Sequence, residues 1–170
     1  MNGIDEEMSD RQHPVAEDIT LQRKVWRFER VGWYVLLFIV FLTLAGLFSK
    51  GPLSDVSTTS IEKDLTVEYQ RFHRNGSTYG MVIRVQSQPL KPVSVVISNK
   101  MLEGFSIESI QPQPDRSLGT SRGLQLDSQT DDKGQVTFYI NWRSEGVGLF
   151  ESAIAVNGGG HIPVTQFIYP

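Results

Sequence analysis

Asp131-Asp132-Lys133-Gly134-Gln135-Val136-Thr137-Phe138-Tyr139-Ile140-Asn141-Trp142 is the stretch that decides the fold. Its first four residues are turn formers. The rest alternate between apolar and polar side chains, which is the period of a strand with one face buried and one in water. A helix would place Val136, Phe138, Ile140 and Trp142 on different faces, whereas a strand places all four on one.

The same alternation extends outward in both directions. Upstream, Leu65, Val67 and Tyr69 predict a strand that reaches Arg74. Asn75-Gly76 then reads as a tight type I′ hairpin turn leading to Met81, Ile83 and Val85. Val93 to Ile97 predicts a third strand, and Phe105, Ile107 and Ile110 a fourth, which Pro112 and Pro114 close. Leu124 and Leu126 mark a short strand. Downstream, Phe150 to Val156 is another, Gly158-Gly159-Gly160 turns the chain, and Ile162, Val164, Gln166 and Ile168 finish it. Seven or eight short strands without a long helix predict a mainly β domain, an antiparallel immunoglobulin-like β-sandwich over residues 63–170. The expected core is Val67, Tyr69, Ile83, Val85, Val95, Ile97, Ile107, Phe138, Ile140, Trp142, Ile154 and Val164.

The N-terminal third has a different character. Val31 to Phe48 is an uncharged, apolar stretch of 18 residues. As a helix it is about 27 Å long, close to the ~30 Å hydrocarbon thickness of a bilayer. It predicts a transmembrane helix over 31–48. Arg23, Lys24, Arg27 and Arg30 precede it, with Trp26 and Phe28 interleaved and Trp33 and Tyr34 just inside. Positive flanks stay cytoplasmic, so the N-terminus is expected inside and the β-domain outside. Arg23, Lys24, Trp26, Arg27, Arg30, Trp33 and Tyr34 are the expected membrane-interface residues, guanidinium groups on lipid phosphates and rings at the headgroup boundary. The tail is too long for the n-region of a cleaved signal peptide, and no cysteine follows Leu44-Ala45-Gly46-Leu47 as a lipoprotein box requires. An uncleaved signal anchor in a bacterial inner membrane, its C-terminal domain periplasmic, is the expectation. Residues 1–17 read as a disordered acidic cytoplasmic tail, 18–30 as a basic juxtamembrane helix and 49–62 as a linker.

Composition limits the chemistry. There are no cysteines, hence no disulfides and no thiolate sites. The chain has 16 Lys and Arg against 19 Asp and Glu, net −3, without the basic excess of a nucleic-acid-binding face. His13 lies in the tail, and His73 and His161 have no metal-ligand spacing, so both read as solvent-side histidines. Asp127, Asp131 and Asp132 miss the calcium-loop pattern and read as a solvated turn. The glycine run at 158–160 is followed by no Gly-Lys-Ser/Thr, and Asn75-Gly76-Ser77 serves a turn. No serine sits in a nucleophile elbow. No cofactor, metal or small-molecule substrate is implied, and no catalytic residue is assigned. The expected function is a non-enzymatic binding or accessory module docking on a membrane or envelope protein. The alternatives are a bitopic signal transmitter whose tail recruits a cytoplasmic partner and, more remotely, an envelope hydrolase. The candidate partner surface is Arg71-Phe72-His73-Arg74, where basic and aromatic residues crowd and the alternation slips. Phe167-Ile168-Tyr169 is a second apolar cluster, in a strand that reads as covered on both faces.

Several short motifs carry a resemblance. They are Glu29-Arg30-Val31-Gly32-Trp33, Gly46-Leu47-Phe48 with Gly51-Pro52-Leu53-Ser54, Val67-Glu68-Tyr69-Gln70-Arg71-Phe72, and Phe167-Ile168-Tyr169-Pro170. With them the chain resembles bacterial bitopic inner-membrane proteins that carry a small periplasmic β-domain and accompany multi-pass membrane proteins of the YetF type. The resemblance implies an accessory role and supplies no functional residues.

Overall fold

The computed structural model describes residues 19–44 and 54–170, with side chains from Lys24 onward within those limits. Contacts divide the chain into two units that part between Val40 and Phe41.

The first element is a helix, α1 (Ile19–Leu44). No proline interrupts it. It contains residues 31–44 of the expected span, while residues 45–48 lie outside the described residues. The turns before Val31 carry Arg27, Glu29 and Arg30. Among the described residues no helix is long and apolar enough to cross a membrane. The acidic tail, His13 and the stretch from Ala45 to Leu53 also lie outside the described residues.

The second unit is mainly β. One sheet is built from β1 (Asp55–Thr59), β2 (Leu65–Gln70), β4 (Thr78–Gln86), β9 (Gln135–Ser144) and β6 (Phe105–Gln111), in the order β1-β2-β4-β9-β6. The other has the order β3-β11-β10-β5-β8-β7, from β3 (Phe72–Arg74), β11 (His161–Tyr169), β10 (Gly148–Val156), β5 (Pro92–Ser98), β8 (Gly123–Gln129) and β7 (Arg116–Thr120). A short helix, α2 (Asn99–Gly104), links β5 to β6. The sheets enclose one core, so the β-sandwich expectation holds.

The alternation does what period two requires. Val136, Phe138, Ile140 and Trp142 are all buried, as are Leu65, Val67 and Tyr69. Eleven of the twelve expected core residues are buried, and Ile107 packs against the core half-buried. Burying such a side chain fully contributes roughly 1.5–3 kcal/mol. Met101 and Phe105 complete the core from α2 and the start of β6.

Four expectations need correction. Residues 55–59, assigned to the linker, form edge strand β1, register-paired from Asp55↔Gln70 to Thr59↔Thr66. The strand expected to run unbroken from Leu65 to Arg74 divides at Arg71: β2 belongs to one sheet, β3 to the other. The turn at Asn75-Gly76 is not type I′. Only Gly76 has a positive φ (78°), and the Ser77 N–H donates to Arg74 O at 3.0 Å, the pattern of a type II turn with glycine third. The sandwich is not wholly antiparallel, because β3 pairs parallel with β11.

Candidate functional site

The sheet crossing at Arg71 builds the site. In the inward phase set by Leu65, Val67 and Tyr69, Arg71 would point into the core. It is exposed instead, because the backbone passes between sheets there. The Arg71 N–H donates to Ser54 O at 2.9 Å, and Arg71 O accepts the Phe167 N–H at 2.7 Å. The next three residues lie along β11 in the register Phe72↔Phe167, His73↔Ile168 and Arg74↔Tyr169. The turn that follows is tied down on both sides. Asn75 N–H donates to Tyr169 O, Gly76 N–H to Ser144 O, and the Ser144 hydroxyl to Arg74 O at 2.6 Å.

Strand parity then divides the candidate surface. His73 turns inward and is 3% exposed, which corrects its reading as a solvent-side histidine and removes it from any docking surface. Its ring stacks on Tyr79 with centroids 3.8 Å apart, and Phe105 meets both rings edge-on at 5.7 Å. His73 Nε2 lies 2.9 Å from both Gln70 O and Gln166 Nε2; protonated, it donates to the carbonyl, and unprotonated, it accepts from the amide. The Gln166 amide nitrogen is also within hydrogen-bond distance of Gln70 O (3.0 Å) and Tyr79 Oη (3.1 Å). Burial pushes the His73 imidazole down to about 4, the bond to Gln70 O opposing it only in part. Burial pushes the Tyr79 phenol up. This layer is neutral and aromatic, with a glutamine in a strand phase otherwise occupied by Ile162, Val164 and Ile168. That lone Gln166 was its signal in the sequence; Tyr79 had none.

Phe72 and Arg74 face outward. Phe72 stacks on Tyr169 with centroids 6.1 Å apart, and Tyr169 meets Phe167 at 5.0 Å. Phe167 is register-paired with Leu149 of β10, so Phe72, Phe167 and Leu149 form a row across three strands. Leu149 is 60% exposed and neighbouring Val147 54%. Phe167 and Tyr169 are half-buried on this outer face while Ile168 between them is in the core, so the strand is not covered on both faces. Arg71 and Arg74 flank the row, both exposed. Leu149 was missed in the sequence, because register alone brings it to Phe167.

Beneath this end lie three unpaired polar atoms. Among the described residues, the buried side-chain atoms without a hydrogen-bond partner are Ser54 Oγ, Trp142 Nε1 and Gln166 Oε1. Ser54 is bonded to Arg71, Trp142 is opposite Tyr79 in register, and Gln166 touches His73. Buried polar atoms are ordinarily paired.

The other candidates lie elsewhere. His161 is exposed at the start of β11, seven positions from the residue paired with His73, about 23 Å along the strand. Asp131 Oδ1 accepts the Lys133 and Gln135 N–H groups at 2.9 and 2.7 Å, the closed turn expected of it. Asp127 stands on β8, its carboxylate held low by the Ser94 hydroxyl at 2.6 Å and the Gln125 amide at 2.7 Å. Among the described residues no three His, Asp or Glu are grouped as metal ligands. On α1, Lys24, Trp26, Arg27, Arg30, Trp33 and Tyr34 are exposed; Arg23 lies on the same helix.

No family model matches the chain, and no curated protein does. Among solved structures it is similar to a chain of the CaDoc0917–CaCohA2 complex crystallised at pH 5.5, at 12% identity and a TM-score of 0.38, over 58% of this chain and 94% of that one.

Proposed function

We propose that the chain is a membrane-anchored, non-enzymatic binding module of the bacterial inner membrane. Residues 1–17 are cytoplasmic, 31–48 span the bilayer, and the immunoglobulin-like β-sandwich stands in the periplasm, where it docks on a membrane or envelope protein. The observation that carries this reading is the surface of α1. Every residue from Trp33 to Phe41 is apolar or aromatic and about half or more exposed, from Val40 at 47% to Trp33 and Phe41 at 66%. At 100° per residue, nine consecutive positions cover all sides of a helix. A helix in water keeps a polar stripe, and one apolar all round calls for an apolar surrounding. The four basic residues before it support the orientation.

The test is affinity purification of the full chain in mild detergent at native expression, with mass spectrometry of what accompanies it. One membrane or envelope protein recovered in near-stoichiometric amount is the expected result. Recovery of the chain alone overturns the binding-module reading.

A further inference from the structure

We infer that the row Phe72–Phe167–Leu149, with Tyr169 and the flanking Arg71 and Arg74, rests on the anionic lipid headgroups of the membrane that holds the chain. The inference deepens the anchored reading and depends on it.

The first argument is reach. The apolar stretch ends at Phe48, and the β-domain begins at Ser54. The intervening residues, 49–53, span at most about 20 Å even when fully extended. Ser54 O accepts the Arg71 N–H, and Arg71 O accepts the Phe167 N–H. The point where the domain leaves its anchor is therefore two backbone hydrogen bonds from the centre of the aromatic row. The other end of the sandwich is remote. Along β10, Leu149 and Asn157 are eight residues apart, about 26 Å. Asn157 N–H donates to Ser94 O, near the start of β5, and Leu90 lies just beyond that strand.

The second argument is chemistry. Aromatic rings with polar tips, exposed aliphatic side chains and arginine are the residues that settle at a headgroup boundary, apolar parts inward and guanidinium groups on phosphate. The acidic neighbours stand outside the row. Asp55 is held by the Gln70 side chain at 3.2 Å, Glu145 by the Ser106 hydroxyl at 2.6 Å, and Glu151 sits one outward position beyond Leu149, where it shares a hollow with Glu103 and the cation Lys100. An acidic protein segment could recognise the same arginines, but the short connection brings the bilayer to this end first.

The chain has no cysteine, so single cysteines can be labelled without background. The full-length L149C chain, and V147C as a second position, would carry a polarity-sensitive fluorophore in nanodiscs of phosphatidylcholine with or without phosphatidylglycerol. L90C reports the far end. The expected result is a blue shift at 149 and 147 in phosphatidylglycerol discs, none at 90, and loss of roughly half the shift or more in R71Q/R74Q. Water-like emission at 149 and 147 in both discs overturns the inference. So does an equal shift at 90, or a shift indifferent to both arginines. A shift with an oligoglutamate peptide in detergent and none in phosphatidylglycerol discs replaces lipid with an acidic protein. Carbonate washing of membranes holding the wild-type chain separates the two levels. Release into the supernatant overturns the anchor and the inference together, whereas retention with a water-exposed row overturns the inference alone.

Discussion

The two ends of the β-sandwich solve the same problem differently. At one end the loop after β1 meets the β10–β11 turn. Asp64 receives the Ser60 hydroxyl at 2.6 Å and the Gly160 N–H at 2.8 Å, and Ser60 Oγ accepts the Leu65 N–H at 3.2 Å. Burial raises the Asp64 carboxyl, but these hydrogen bonds outweigh it and hold the group below its ordinary range. At the other end Arg71 breaks the strand, His73 is buried without charge, three buried polar atoms lack partners, and an aromatic row faces out between two arginines. One end is closed by a paired polar clasp. The other leaves buried polar groups unpaired and apolar groups exposed.

The largest expected effect concerns the open end and pH. The folded state holds the His73 imidazole near 4 against about 6.5 in the unfolded chain, so between those values the unfolded state binds more protons. The stability from keeping this ring neutral is complete above about pH 6.5. It declines as the pH falls and is gone below about 4. The full difference is at most about 3 kcal/mol. Urea midpoints of the full chain between pH 7.5 and 4 should show this decline, and H73F should flatten it, because Gln70 O still keeps its bond from Gln166. Parallel profiles for the two proteins would remove the buried neutral histidine from the account.

The clasp breaks sterically. A Cβ on Gly160 would lie 2.5 Å from Ser60 Cβ, which is fixed to the backbone, and 2.6 Å from Asp64 Oδ1, a side-chain end that the Ser60 hydroxyl holds in place. G160A should lower stability by about 2 kcal/mol, read as a lower urea midpoint with an unchanged m-value. G158A tests a different cause, since Gly158 has open space around it but a φ of 79°. D64A removes the carboxylate and leaves the Gly160 N–H without its acceptor, which should cost about 1 kcal/mol. If D64A matches wild type, the clasp is ornament and the contrast between the ends disappears.

These positions also show what the sequence could and could not display. Alternation revealed the core, because period two is a property of neighbours along one strand. Edge strands β1 and β7 were not legible: Ser57-Thr58-Thr59 and Arg116 to Thr120 have little apolar pattern, and their place comes from pairing with β2 and β8. The run at 158–160 was readable as a turn. That Gly158 serves a backbone angle and Gly160 the approach of Asp64 was not, since Asp64 is nearly a hundred residues away. At Arg71–Arg74 the sequence displayed the crowding of basic and aromatic residues, but not which of them share a face. Parity after the sheet crossing sends His73 in and Phe72 out, and register adds Phe167, Tyr169 and Leu149 from strands far along the chain. A sequence displays periodicity within an element, and a site assembled by register lies between elements.

The smallest expected effect carries the contrast furthest. R71Q/R74Q removes two exposed cations that make no ion pair among those found in the described residues, where Glu68–Arg84 and Glu108–Arg143 are the pairs present. Exposed substitutions of this kind stay within about 0.5 kcal/mol. The thermal midpoint of the full chain in detergent should therefore hardly move, although the positions belong to the most distinctive surface of the domain. A clear fall in the midpoint would show that the arginines brace the sheet crossing, and the open end would then be another structural device like the clasp. An unchanged midpoint, set beside the losses expected of G160A and D64A, means that the stability of the domain does not depend on these two charges.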